Sequence, residues 1–198
     1  CTDGCSTSDL HKAMIDSCVE METHDHLRMA GRLLIGSIYK EAHGGYKNLP
    51  KLKDFYNDMV SKGYWIAMDY SEEEFEELEK IIKHDKNLEY NYTTLSQMEN
   101  RYLISDLHSK ICYESPQYMF MGIAMAGMEN ESKDVRLKKI EMLYNGISDL
   151  KINLPTPMLV NLRTPSRGLA SCNVYTVGDT APSISVGNHI AEMMTCAS

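Results

Sequence analysis

Leu154-Pro155-Thr156-Pro157-Met158-Leu159-Val160 is the stretch at which the chain changes character. Pro155 and Pro157 cannot continue a helix from upstream, because proline lacks the amide donor and restricts the residue before it. Met158-Leu159-Val160 then reads as a short strand, and Cys172 to Val177 as a second. Between them Arg163 to Gly168 is a polar loop containing Pro165. Gly178-Asp179-Thr180 reads as a turn, and Ser183 is placed to cap a last helix through Ile184, Ile190 and Met193 or Met194.

Upstream of Leu154 the pattern is helical. Over residues 24–43, Leu27, Ala30, Gly31, Leu34 and Ile38 recur at helical spacing, and Gly44-Gly45 ends the run. Over residues 72–83, Ser71 and Glu74 form a capping box, and Phe75, Leu78 and Ile82 make the apolar stripe. Glu76 with Lys80, and Glu79 with Lys83, are spaced as i,i+4 pairs, so the acidic run 72–79 reads as a solvated helix face. Residues 116–128 carry Met119, Met121, Met125 and Met128 among other apolar residues, which fits a buried helix better than a methionine-rich binding surface. Over residues 132–150, Leu137, Ile140, Leu143, Tyr144 and Ile147 recur every three or four residues, with Lys and Arg opposite. The expectation is a mainly α protein whose last part begins a sheet, and two strands are too few to form one alone.

The chain has 198 residues, enough for one domain with a sizeable core or one domain and part of another. Its net charge of −8, from 20 basic and 28 acidic residues, argues against a broad nucleic-acid surface, which needs a basic face. Single nucleotides remain compatible, since backbone N–H groups and one or two cations can hold them. The absence of a long apolar run excludes a membrane-spanning helix. The residues after Cys1 lack the basic-then-apolar pattern of a signal peptide, and the missing initial Met suggests a piece of a longer product. The six cysteines (Cys1, Cys5, Cys18, Cys112, Cys172 and Cys196) show neither a CxxC pair nor zinc spacing. The reading is a protein of the reducing cytoplasm, with most cysteines as small buried hydrophobes and no metal site.

Three segments carry polar or reactive groups, and each also has a plain structural reading. Thr7-Ser8-Asp9-Leu10-His11 reads as a helix start, with Thr7 or Ser8 as the cap and Asp9 near the positive helix end. Pro155-Thr156-Pro157 reads as a stiff turn. Cys172, at a strand start behind a polar loop, reads as structural unless it is exposed and has a lowered pKa or a partner thiol. His24-Asp25-His26 reads as polar residues at a helix start rather than as metal ligands.

Taken together, the motifs resemble a known family. Leu154-Pro155-Thr156-Pro157, Arg163-Thr164-Pro165-Ser166-Arg167, Ser171-Cys172 and Gly178-Asp179 follow the order seen at the opening of the catalytic barrel in class I ribonucleotide reductase large subunits. Lys83-His84-Asp85 with Tyr92, Arg101-Tyr102-Leu103 and Tyr113-Glu114-Ser115-Pro116-Gln117 resemble the helical domain of that family. Thr7 to His11 resembles the second half of its amino-terminal ATP cone. The resemblance implies a fold that is mainly α, leading into the first strands of a ten-stranded α/β barrel. Residues 1–44 would be the end of the cone, 45–153 the helical domain and 154–198 the start of the barrel.

The same resemblance implies an enzyme, a ribonucleoside-diphosphate reductase, that makes deoxyribonucleotides by thiyl-radical chemistry with a cysteine pair as reductant. Cys172 would be one member of that pair, Ser171 would line the substrate ribose, and Thr156 would contact substrate phosphate. Asp179, Thr180 and Ala181 match the place of the specificity effector, and Thr7, Asp9, His11 and Lys40 match cone positions at or near the activity effector. The effectors implied are ATP and deoxynucleoside triphosphates. No cofactor is expected on this chain, and a metal-radical cofactor is expected in a separate small subunit. The other implied partners are the remainder of the large subunit, thioredoxin or glutaredoxin, and a second copy in a homodimer contacted by the last helix.

Departures from the family pattern set the rival readings. The radical cysteine, the second cysteine of the pair and the first half of the cone are not among these residues, and Gly168-Leu169-Ala170 replaces a more usual glutamine-phenylalanine-serine loop. The chain alone is therefore expected to be inactive. It would be a non-catalytic helical assembly fragment if it bound no nucleotide, and half of a split reductase if a second polypeptide supplied the rest. A cobalamin-dependent reductase is a further alternative.

Overall fold

The computed structural model describes residues 4–106, 108–166, 168–170 and 172–197. The chain order is α1 (Thr7–Glu20), α2 (His24–His43), α3 (Leu52–Ser61), α4 (Glu72–Ile81), α5 (Tyr92–Arg101), α6 (Pro116–Met128), α7 (Lys133–Ser148), α8 (Thr156–Asn161) and α9 (Ala181–Ala197). Among the described residues no strand forms, and the β-pairing present is one isolated antiparallel bridge between Ser105 and Cys112.

α6 is the centre. Every residue from Pro116 to Met125 is buried, which is why this helix shows no polar face. Pro116 sits in its first turn, where a missing amide donor costs nothing. A Cβ on Gly122 would lie 2.5 Å from the Trp65 indole, so glycine is what lets that ring approach the helix so closely. Phe55 stacks on Tyr118 at 4.0 Å and meets Trp65 edge-on at 5.4 Å, which locks α3 onto the same centre. α2 packs on both α1 and α5, α7 on α6 and α4, and α3 on α4.

Buried polar groups cross-link the bundle. Asn87 donates to Tyr39 Oη at 2.7 Å, Gln117 donates to Asn87 at 2.8 Å, and Tyr144 donates to Gln117 at 2.6 Å. Tyr144 Oη also accepts the Lys83 amide at 2.8 Å. Because each member is satisfied, this network fixes the packing instead of penalising it.

The helical expectations at 24–43 and 116–128 match α2 and α6. The Ser71–Glu74 capping box is present in both directions, and Gly44 ends α2 at φ 71°. Four details differ. Glu74 is buried and bidentate to Arg136, so the acidic run is not wholly solvated. Lys80 pairs with Glu77 at 2.6 Å instead of Glu76, and Glu79 accepts the Leu52 amide at 2.6 Å. The cap of α1 is Ser6, whose hydroxyl accepts the Asp9 amide at 3.0 Å, not Thr7 or Ser8. Ser183 lies inside α9, and its hydroxyl accepts the Gly178 amide at 2.7 Å, while Thr180 Oγ1 accepts the Ser183 amide at 3.4 Å.

The two expected strands are corrected. Met158-Leu159-Val160 lies inside α8, which Pro155 and Pro157 start instead of forbid, because proline is well suited to a first helical turn. Among the described residues Cys172 to Val177 has no regular pairing. Tyr175 and Val177 instead lie against α9 at Gly187, where a Cβ would come within 2.8 Å of Val177.

Candidate functional site

Three places hold the residues singled out from the sequence. The first is a cavity of about 680 Å³ between α1, α2 and α5. α1 presents Thr7, Ser8, His11, Lys12, Ile15 and Asp16 to it, which are neighbours at three- and four-residue spacing. α2 presents Gly36, Ser37, Lys40 and Glu41, and α5 contributes Tyr92 and Glu99. His11 Nε2 donates to the Leu33 carbonyl at 2.9 Å, which ties α1 to α2. Burial, then the neighbouring Glu41, pushes the Glu99 carboxyl above its usual range.

Thr7, His11 and Lys40 therefore share one cavity, although His11 and Lys40 lie on different helices. Asp9 does not line it: its carboxylate accepts the Ser6 hydroxyl at 2.7 Å and closes the cap of α1. Lys12, Gly36, Ser37 and Tyr92 were not singled out as cavity residues. Helical register alone would have found the first three, because Lys12 stands one turn from Ser8, and Gly36 and Ser37 stand one turn from Lys40.

The second place is the start of α8. Thr156 is exposed at its first position and lines a cleft of about 510 Å³ with Met119, Phe120, Ile152 and Leu159. The same helix is anchored by Arg163. Arg163 and Glu114 are both 0% exposed and form a bidentate ion pair, with Nε to Oε2 at 3.2 Å. The remaining guanidinium donors go to the Leu159 carbonyl at 2.5 Å and the Tyr102 carbonyl at 2.8 Å. Glu114 also accepts from Trp65 Nε1 at 3.2 Å and from the Ile104 amide at 2.8 Å. Both residues stood in quoted motifs, but nothing in the sequence paired them across 49 positions.

The third place is the segment from Gly168 to Ala181. Cys172 is exposed and free, and Asp179, Thr180 and Ala181 are exposed at the entry to α9. Cys172 is thus not a buried small hydrophobe; nor are Cys5 and Cys196, whereas Cys18 and Cys112 are buried. Burial pushes the Cys112 thiol up to about 12, which makes it inert. Ser171 and Arg167 lie outside the described residues. Among the described residues no group of three His, Cys, Asp or Glu side chains is arranged to hold a metal ion, and no helix is long and apolar enough to cross a membrane.

Residues 88–167 match the family model described as the all-alpha domain of ribonucleotide reductase, a span that contains both partners of the Glu114–Arg163 pair. The chain belongs to the ribonucleotide reductase large-subunit family and corresponds to an amino-terminal portion of it. It is 32% identical over 188 residues to ribonucleoside-diphosphate reductase 1 subunit alpha of Escherichia coli (strain K12), covering 92% of this chain and 25% of the relative. It is 34% identical over 188 residues to ribonucleoside-diphosphate reductase subunit alpha of Enterobacteria phage T4, with the same coverage. The subunit of Haemophilus influenzae is 28% identical over 188 residues, again covering 92% and 25%. The chain spans about a quarter of the length of these relatives.

Proposed function

We propose that this chain is the nucleotide-responsive, helical portion of a class I ribonucleoside-diphosphate reductase, which supplies deoxyribonucleotides for DNA synthesis. The observation that carries the reading is the convergence of Thr7, His11 and Lys40 on one cavity, in a chain similar along most of its length to reductase alpha subunits. ATP or a deoxynucleoside triphosphate is the activity effector of that cavity. Asp179, Thr180 and Ala181 contribute to the site of the specificity effector.

In the completed subunit a thiyl radical activates the ribose, and Cys172 with a second thiol reduces it. The ribonucleotide and the dithiol give the deoxyribonucleotide, a disulfide and water. Ser171 and Thr156 hold the substrate ribose and phosphate. The exposure of Cys172 supports this reading, since a reducing thiol must be reached by substrate and then by a dithiol such as thioredoxin or glutaredoxin. The remainder of the large subunit, a small subunit carrying the metal-radical cofactor and a second copy of the large subunit complete a cytoplasmic enzyme. Alone, the chain binds effector but does not turn over.

Calorimetric titration of the chain with magnesium-ATP tests the effector site. Saturable binding is expected, weakened about tenfold or more in Lys40→Ala as one charge-assisted phosphate contact is lost. No binding by the unaltered chain would contradict the reading and favour a non-catalytic assembly fragment.

A further inference from the structure

We propose that Gly36 is a specificity-determining wall of the α1–α2–α5 cavity: the flat base of the bound nucleotide lies directly on the helix backbone at Gly36, with its phosphates one turn on, at Lys40. The inference rests on the nucleotide reading of that cavity and assigns the pose within it.

The two interior glycines of α2 differ in why they are glycine. Gly31 is buried, and a Cβ there would lie 2.6 Å from the Tyr90 carbonyl oxygen and 2.9 Å from the Asn91 carbonyl carbon. It is needed for α2 to approach the turn that precedes α5. Gly36 has no such reason. It is exposed in mid-helix, and a Cβ there would meet nothing within 4 Å. It is absent from the positive-φ glycines, so no backbone strain explains it either. Glycine weakens a helix interior relative to alanine, and here no packing contact offsets that cost.

A missing side chain on a cavity wall gives access to the backbone, and a planar group can lie in van der Waals contact only where no Cβ stands up. Gly36 and Lys40 are one turn apart on one face, about 6 Å along the axis. Across the cavity, α1 supplies the cation Lys12 and the apolar Ile15; Leu34 and Tyr92 add further apolar surface. The wall thus has an end suited to a flat ring and an end suited to an anion. A nucleotide would use both ends, and an inorganic polyphosphate only the Lys40 end.

The test compares the 198-residue chain with Gly36→Phe and Gly36→Ala by calorimetry, using magnesium-ATP and inorganic tripolyphosphate as probes. Gly36→Phe is expected to lower ATP affinity about tenfold or more while leaving tripolyphosphate binding unchanged. Gly36→Ala, which a helix favours over glycine, is expected to raise Tm and still weaken ATP measurably. A raised Tm with undiminished ATP affinity, or equal loss of both probes in Gly36→Phe, overturns the proposal. Failure of the unaltered chain to bind ATP overturns the nucleotide reading itself and this inference with it, whereas ATP binding that ignores Gly36 overturns this inference alone.

Discussion

Arg163 and Cys172 stand nine positions apart in one run of motif residues, yet their surroundings are opposite. Arg163 is 0% exposed, and its guanidinium is taken up by Glu114 and backbone carbonyls. Cys172 is exposed, and nearby Val174 is 96% exposed. A residue whose donors are consumed inside the bundle has a structural task; the helical body, which includes α8, is held by it. A thiol left open beside uncovered apolar side chains has no packing task, and such a surface is suited to cover by another part of the protein. On the proposed reading, the contrast separates residues that build this portion from residues left to act with the rest of a reductase subunit.

The largest effect should come from Arg163→Ala. It strands Glu114 as an unpaired buried carboxylate, and a loss of about 3–5 kcal/mol is expected in urea unfolding. A loss below about 1 kcal/mol would erase the distinction drawn above. Gly122→Ala pushes a methyl into the Trp65 ring, and overpacking of this kind should cost about 1–3 kcal/mol without touching the terminal segment.

Acid should act on the body too. Burial lowers both His43 and His84 to about 4; the His84 imidazole further disfavours charge on His43, while Asp85 partly opposes the effect of burial on His84. His43 faces Phe55 and Tyr118 and pairs with Ser115 Oγ at 3.3 Å, while the buried Nδ1 of His84 has no hydrogen-bond partner among the described residues. The unfolded chain therefore binds more protons between about 4 and about 6.5, so stability is full above about 6.5 and falls as pH drops through that window. A decline on the order of 1–2 kcal/mol is expected, discounted because both rings keep partial solvent contact. It should shrink in His84→Gln, and an unchanged pH profile in that variant would assign the decline to other groups. The smallest effect is Cys172→Ser, which should move stability by less than about 0.5 kcal/mol.

The helical body was legible because its signals are local. The Ser71–Glu74 box, the Gly44 stop and the methionine-rich run each specify their element within one or two turns. The strands were misread for physical reasons. Met158-Leu159-Val160 is a short apolar run, which periodicity cannot assign to strand or helix, and Pro157 favours a helix start as much as it forbids a continuation. Cys172 to Val177 carries strand-like residues but pairs with no strand among the described residues, and a lone strand does not form. The site was legible in part. Thr7, His11 and Lys40 were reached through resemblance, and the register of α1 and α2 explains why they meet. Asp9 serves the start of α1, as its plain structural reading had it: its carboxylate accepts the Ser6 hydroxyl at the helix cap. The Glu114–Arg163 pair could not be read, because a contact across 49 positions leaves no local trace.

The most direct test of the division between building and acting residues is turnover. The chain is completed with the remaining portion of a large subunit and its small subunit, and given a ribonucleoside diphosphate and a dithiol reductant. Cys172→Ser is expected to abolish multiple turnover while circular dichroism and ATP binding stay as in the unaltered protein, whereas Cys18→Ser and Cys112→Ser keep turnover and lose only stability. Near-unaltered turnover by Cys172→Ser would make that thiol dispensable and contradict the account at its centre.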